Sequence, residues 1–243
     1  MQSASTIGYL HGMPGGPGEW RLNAPEALSD GAWVPDCNPA HADFDHLAGR
    51  CPEDVTLIGF SLGAFTALEM AARVPGKIAA LHLISPAGPL QLGAFLEQMA
   101  GGPLFRMARD RPALFRAVAG LERLVARAAP AFLFGRLMAT AQGDDAALAR
   151  DPQFRAGMAT VLRAGLGQNS AGFVRTVEAY VGDWRPTLAR VKAPVTIWQG
   201  DADNWTPPAM ARALAAALPG GAALHMIPGG SHYSTLRAAL RQI

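Results

Sequence analysis

The sequence predicts an α/β protein: a mostly parallel sheet covered on both faces, with a block of helices inserted between two of its strands. Three observations lead there. Short continuous apolar runs rich in β-branched residues alternate with segments whose apolar residues recur every three or four positions. That alternation calls for crossover helices packed on a parallel sheet. From Pro89 to Pro194 it gives way to helical spacing alone, and it resumes at "PVTIWQGDAD". Half of the residues are hydrophobic and 16% are charged, which allows a sizeable core and argues against disorder.

The elements follow in order. Thr6 to Leu10 reads as a strand that runs into "HGMPGGPGEW". Residues 19–28 read as a helix, 32–35 as a brief strand and 44–50 as a short helix. Residues 55–58 make a buried strand, after which Leu62, Phe65, Leu68 and Ala72 mark a helix that stops at Pro75-Gly76. Ile78 to Ile84 is the next strand. In the middle block Leu114, Phe115, Val118, Leu121, Leu124 and Val125 share one helical face, while Arg116, Glu122, Arg123 and Arg127 fall elsewhere. Pro112, Pro130, Pro152 and Pro186 punctuate this block, and Asp151 before Pro152 has the form of a cap and first turn. The sheet then resumes with residues 195–199 as strand, Pro208 to Ala217 as helix, Ala223 to Ile227 as strand and 235–243 as the closing helix.

Composition excludes several classes. No run of 18 apolar residues occurs, and the start "MQSASTIGYLHGMPGG" has neither a basic leader nor a long apolar stretch, so the expectation is a cytoplasmic protein without a membrane span. Cys37 and Cys51 are the only cysteines, too few for a disulfide scaffold and in no metal-binding spacing. The net charge of +2 is unevenly spread. Residues 89–194 carry 14 Lys+Arg and 8 Asp+Glu, against 7 and 11 in the remainder. A basic middle block either attracts anionic partners or forms a solvated helix face, and the second is favoured. No interleaved basic and aromatic pattern marks a nucleic-acid module.

The chemistry centres on "GFSLG" at residues 59–63. A serine between two glycines also arises by chance, but here it stands between a buried strand and a helix, which is where a nucleophilic serine on a strained turn has to be. A serine hydroxyl is a poor nucleophile at neutral pH and needs a base, and that base needs an orienting acid. His232 in "IPGGSHYS" is the candidate base, since it follows a strand and a glycine pair. His82 and His225 fall inside strands and are expected to pack there, and His11 is expected to order its own turn. His41 and His46, in "HADFDH" with two aspartates, read as a solvated loop entering a helix rather than a metal site. The acid lies in "WQGDADNWTP", where Asp203 is favoured over Asp201. The oxyanion needs two donors. Leu62 N–H, at the start of a helix, and Met13 N–H, in "HGMPGGPG", are positioned to supply them.

In order and combination, "HGMPGGPG", "GFSLGA", "WQGDADNWTP" and "GGSH" resemble the α/β-hydrolase superfamily, and they span nearly the whole chain. The resemblance implies a triad of Ser61, Asp203 and His232. It also implies a core of residues 1–88 and 186–243 with a helical cap over 89–185, and no cofactor. Members usually carry two further strands ahead of the oxyanion strand, whereas only ten residues precede His11. A shortened sheet of about six strands, with one edge exposed or covered by another element, is therefore expected. "HGMPGGPG" is similar to the loop of proline iminopeptidases, but the cap acids that hold a free amino terminus in those enzymes have no assignable match. Ser61 excludes the aspartate-nucleophile dehalogenases and epoxide hydrolases. The expected function is a serine hydrolase that cleaves a small or medium, largely apolar ester, lactone or thioester through an acyl-enzyme. Hydrolysis of a carbon–carbon bond in a dioxo acid is the alternative, and a non-catalytic small-molecule receptor is the third reading.

Overall fold

The structure, a computed structural model, describes residues 6–243. In chain order the elements are β1 (Thr6–Leu10), α1 (Gly18–Asn23), α2 (Glu26–Ser29), α3 (Phe44–Gly49), β2 (Val55–Phe60), α4 (Leu62–Arg73) and β3 (Ile78–Ile84). A 3-10 turn at Leu90–Leu92 leads into the inserted helices: α5 (Gly102–Asp110), α6 (Pro112–Ala128), α7 (Pro130–Leu137), α8 (Asp145–Leu148), α9 (Pro152–Ala164), α10 (Ala171–Val181) and α11 (Arg185–Leu188). The chain closes with β4 (Val195–Gly200), α12 (Pro208–Ala217), β5 (Ala223–Ile227) and α13 (His232–Leu240).

The five strands pair in parallel in the order β1-β2-β3-β4-β5. One face buries Tyr9, Ile58, Phe60 and Ile84 against Trp20 of α1 and Leu236 of α13. The other buries Leu10, Leu57, Leu81 and Ile197 against Phe65 of α4 and Leu214 of α12. Each fully buried Leu, Ile or Phe side chain contributes about 1.5–3 kcal/mol of transfer free energy, so both faces are committed to helices. The double covering has a topological origin. From β1 the chain steps outward to Trp33, which bridges Gly8 on the edge away from β2, and then returns across the sheet to β2. The direction of winding thus reverses between β1 and β2, and a crevice opens at the carboxyl ends of those strands.

Several expectations are corrected in detail. Residues 32–35 do not form a sixth strand. Only Trp33 pairs, through Tyr9 N to Trp33 O at 2.9 Å and Trp33 N to Ile7 O at 2.8 Å. Pro35 has no N–H to extend the ladder. The expected helix over 19–28 is two short helices, divided by Pro25. The closing helix begins at His232 rather than 235. In α6 the buried stripe is Phe115, Ala119 and Ala126, whereas Leu114, Leu121 and Leu124 stand 45–61% exposed. Small residues let that helix approach its neighbours closely, so alanine rather than leucine marks the inner face. His225 stacks on Trp198 at 4.5 Å but remains exposed, because β5 is the last strand of the sheet. Cys37 and Cys51 are free and buried.

The insert is tied to the core by hydrogen bonds as well as by packing. Arg175 of α10 donates to the carbonyls of Cys37, Pro39, Ala40 and Ala42 at 2.7–3.2 Å, ordering the loop ahead of α3. Other basic residues of the block pair at the surface, as Arg116 does with Glu178 and Arg185 with Asp183. Among the described residues no helix is long and apolar enough to cross a membrane.

Candidate active site

Ser61 stands between β2 and α4 with φ 56° and ψ −123°, a left-handed conformation that a side chain rarely adopts and that the flanking elements have to hold in place. Its N–H donates to Ile84 O at 3.0 Å, and its carbonyl accepts from Ala64 and Ala87. The two glycines of the motif are required by space. A Cβ on Gly59 would lie 2.6 Å from Ala64 Cα, and one on Gly63 would collide with the Leu10 carbonyl oxygen. The turn can therefore close against β1 only with glycine at both positions.

His232 is the first residue of α13 and is buried. Its Nδ1 lies 2.9 Å from Asp203 Oδ2. Asp203 accepts in addition from Trp205 N–H at 2.8 Å, Thr206 N–H at 3.0 Å and the Thr206 hydroxyl at 3.1 Å. Asp201, two residues earlier, turns the other way and accepts from Gly229 N–H at 2.8 Å. Of the two acidic candidates, then, Asp203 is the one that meets His232. Burial opposes charge on both partners, but each outweighs that cost for the other. The His232 charge and hydrogen bond, with the Thr206 N–H, hold the Asp203 carboxyl below its ordinary range. The carboxylates of Asp203, Asp145 and Glu19 raise the His232 imidazole above its own.

Ser61 and His232 line one small recess of about 30 Å³, together with Gly12 and Met13. Among the described residues no hydrogen bond joins the two, and such bonds commonly tighten only when substrate is bound. The Met13 and Leu62 N–H groups donate to no protein acceptor among the described residues. Beside the recess opens a cavity of about 410 Å³ with Ser61 and Leu62 on its floor, walled by Met99, Phe105, Val118, Leu133 and Phe173 of the insert and its approaches. Glu122 and Arg136 bring charge to its wall and pair with each other at 3.0 Å. The remaining histidines lie outside this constellation. His11 bonds its own turn through Gly12 O and accepts from Cys37 N–H. Asp43 caps α3 through His46 N–H, and no cluster of metal-binding side chains occurs among the described residues.

Two buried carboxylates at the site went unread in the sequence. Glu19 accepts from Gly12 N–H at 2.9 Å and from the Tyr9 hydroxyl at 2.7 Å, so it fixes the loop that carries Met13. Burial pushes its carboxyl up. Asp145, in the insert, accepts the N–H groups of His232, Tyr233 and Ser234. Neither carries a motif, and the only signal for Glu19 is its place just after the glycine-rich turn.

Comparison with known proteins identifies the family and the fold. The model of the serine aminopeptidase, S33, family matches residues 31–236. The pimeloyl-[acyl-carrier protein] methyl ester esterase of Aromatoleum aromaticum is 30% identical over 232 residues, covering 86% of this chain and 84% of its own. Among solved structures, a thermophilic esterase from Thermogutta terrifontis superposes with a TM-score of 0.67 at 19% identity, over 99% of this chain and 87% of its own. The enol-lactonase from Burkholderia xenovorans gives 0.62 at 21% identity, over 98% and 87%. At those identities the two structures establish the fold. The protein is an esterase-like enzyme of the α/β-hydrolase fold, and the chain belongs to the serine aminopeptidase family of that superfamily.

Proposed function

We propose that the protein hydrolyses a medium-chain carboxylic ester or thioester through an acyl-enzyme on Ser61. The observation that carries this reading is the His232–Asp203 contact at 2.9 Å in the recess that Ser61 shares, under a largely apolar cavity. In the mechanism, Ser61 Oγ attacks the ester carbonyl while His232 Nε2 takes its proton, and Asp203 holds the Nδ1–H and stabilises the imidazolium. The N–H groups of Met13 and Leu62 receive the oxyanion, the second with the α4 dipole behind it. His232 then returns the proton to the leaving alcohol or thiol. Water, deprotonated by the same imidazole, releases the acid and restores Ser61.

The insert serves in this reading as a cap, residues 89–185, whose apolar walls hold the acyl chain. A cavity of about 410 Å³ falls within the usual range for small-molecule sites. The relative named as a pimeloyl-[acyl-carrier protein] methyl ester esterase supports placing methyl esters of medium chains among the substrates. Aminopeptidase activity needs a free acid to hold the substrate amine, and the acid lining the cavity, Glu122, is tied to Arg136. The same pairing disfavours the dioxo-acid reading, which needs a free arginine.

The test is labelling with a fluorophosphonate, followed by turnover of nitrophenyl and methyl esters of increasing acyl length beside a dioxo-acid panel. Ser61→Ala should abolish labelling and reduce turnover by up to about 10⁶-fold, the loss measured for a serine hydrolase stripped of its nucleophile. Retention of most of the activity would remove Ser61 from the mechanism. Faster turnover of a dioxo acid than of every ester would move the substrate class.

A further inference from the structure

The loop that presents His232 is held by the insert as well as by the sheet. Asp145 lies in α8, 87 residues ahead of His232, and its carboxylate is buried against the start of α13. Oδ2 accepts from His232 N–H at 3.1 Å and Tyr233 N–H at 2.9 Å, and Oδ1 accepts from Ser234 N–H at 2.7 Å. Those are the first N–H groups of the helix, which have no partner within it. Locally, Ser231 N–H donates to the Ser234 hydroxyl at 2.8 Å in a capping box, and the distant segment adds the carboxylate that takes the three N–H groups. The preceding residues complete the clamp. Asp144 N–H donates to Gly229 O at 2.9 Å, and Gly143 packs against the same carbonyl.

We propose that Asp145 is a positioning residue for the base: by accepting the first N–H groups of α13 it sets where the imidazole stands, and its charge favours the imidazolium that forms during attack. The inference rests on the assignment of His232 as the base. Helix α13 begins at the residue that must become positive, and a helix N-terminus disfavours a cation there. Asp145 cancels that partial charge at its source. The charged and titratable groups facing His232 are Asp203 from the β4–α12 turn, Asp145 from α8 and Glu19 from α1, with the neighbouring Tyr233 phenol pushed well above its ordinary range by burial and held neutral. Asp145 faces Arg237 and Tyr233 besides. The insert therefore takes part in the chemistry through a single carboxylate, in addition to walling the cavity.

The experiment compares the pH profile of kcat/KM for wild type, Asp145→Asn and Asp145→Glu on one nitrophenyl ester, with Ser61→Ala in parallel. The base acts neutral, so the acidic limb reports the His232 pKa in the free enzyme. Removing the Asp145 charge lowers that pKa. In Asp145→Asn the limb should move to lower pH by about half a unit or more, and kcat should fall about ten- to hundredfold as the imidazole loses its seat. Asp145→Glu should keep the limb where wild type has it. If the Asn variant does not fold, Asp145→Ser, whose hydroxyl caps without charge, carries the same measurement. A limb that stays fixed while kcat falls would reduce Asp145 to a structural cap, and an unchanged kcat would remove it altogether. An active Ser61→Ala would instead overturn the triad, so the two failures are distinguishable.

Discussion

The turn that carries Ser61 and the loop that carries His232 sit side by side in one recess, yet they are built in opposite ways. The Ser61 turn is assembled from one continuous segment, β2 to α4, and its geometry is enforced by Gly59 and Gly63 within the same motif. From outside that segment, the Ile84 carbonyl takes the Ser61 N–H, the Ala87 N–H meets the Ser61 carbonyl, and the Leu10 backbone leaves no room beside Gly63. The His232 loop has a capping box of its own at Ser231 and Ser234 and is also held by acids remote in sequence. Asp203 meets the imidazole, Asp201 the Gly229 N–H, and Asp144 and Asp145 the Gly229 carbonyl and the start of α13. The Ser61 turn is thus shaped chiefly by steric exclusion and the His232 loop by hydrogen bonds to carboxylates. Steric exclusion is insensitive to pH, whereas a hydrogen-bonded carboxylate network is not.

The largest effect that tests this contrast is at the acids of the β4–α12 turn. Asp203→Asn should lower kcat by about three to four orders of magnitude, because an asparagine there favours the wrong imidazole tautomer. Asp201→Asn keeps an oxygen for the Gly229 N–H and should cost less than about tenfold. Both variants are to be measured on one nitrophenyl ester, with circular dichroism to confirm folding. The reverse ordering would transfer the triad acid to Asp201 and undo the account of the loop.

A smaller effect sharpens the steric half. Gly63→Ala forces a Cβ onto the Leu10 carbonyl and should destabilise the protein by about 1–3 kcal/mol or more, lowering Tm by about 2–4 °C for each kcal/mol. Gly76→Ala, which meets nothing within 4 Å, should stay within about 0.5 kcal/mol of wild type. Equal melting temperatures for the two variants would show that the Ser61 turn relaxes, and that its shape is not set by exclusion.

The smallest effect concerns pH. The His232 pKa is raised in the folded protein, so its contribution to stability is full below about 6.5 and is lost as pH rises through the folded value. Asp203 is shifted down, so its contribution is present above its ordinary 3.8 and disappears as pH falls through the folded value. Thermal unfolding followed from pH 5 to pH 9 should therefore show wild type losing stability relative to His232→Asn as pH rises. Parallel curves would mean that the pair is uncoupled from folding. The stability difference between wild type and Gly63→Ala, which keeps the His232–Asp203 pair, should by contrast stay constant over that range.

Much of the site was legible because its parts advertise themselves locally. "GFSLG" between an apolar run and a helix-spaced segment, "GGSH" after a strand and "WQGDAD" after another each place a reactive group at the carboxyl end of a strand. Strand positions were read closely for β1, β3 and β5 because short apolar runs that end at Gly, Pro or Ser leave little choice of element. The inner face of α6 was misread because Ala119 and Ala126 carry the packing, and alanine gives almost no periodic signal against the exposed Leu121 and Leu124. Glu19 and Asp145 were invisible for a different reason. A buried carboxylate is recognisable only by the donors around it, and most of those donors are backbone N–H groups that every residue but proline possesses.

By itself the sequence determined the α/β alternation and the inserted helices, and it singled out Ser61, Asp203 and His232 as candidates in that order, because periodicity and glycine placement are written along the chain. Tertiary structure alone decided that Trp33 would be a single bridge rather than a sixth strand. It also decided that Asp203 and Asp201 would face opposite ways, and that Asp145 would close the helix beginning at His232. Each of these is a question of which donor lies within about 3 Å of which acceptor. Such distances between segments remote in sequence are fixed only once the apolar faces have packed and the remaining polar groups must find partners where they stand.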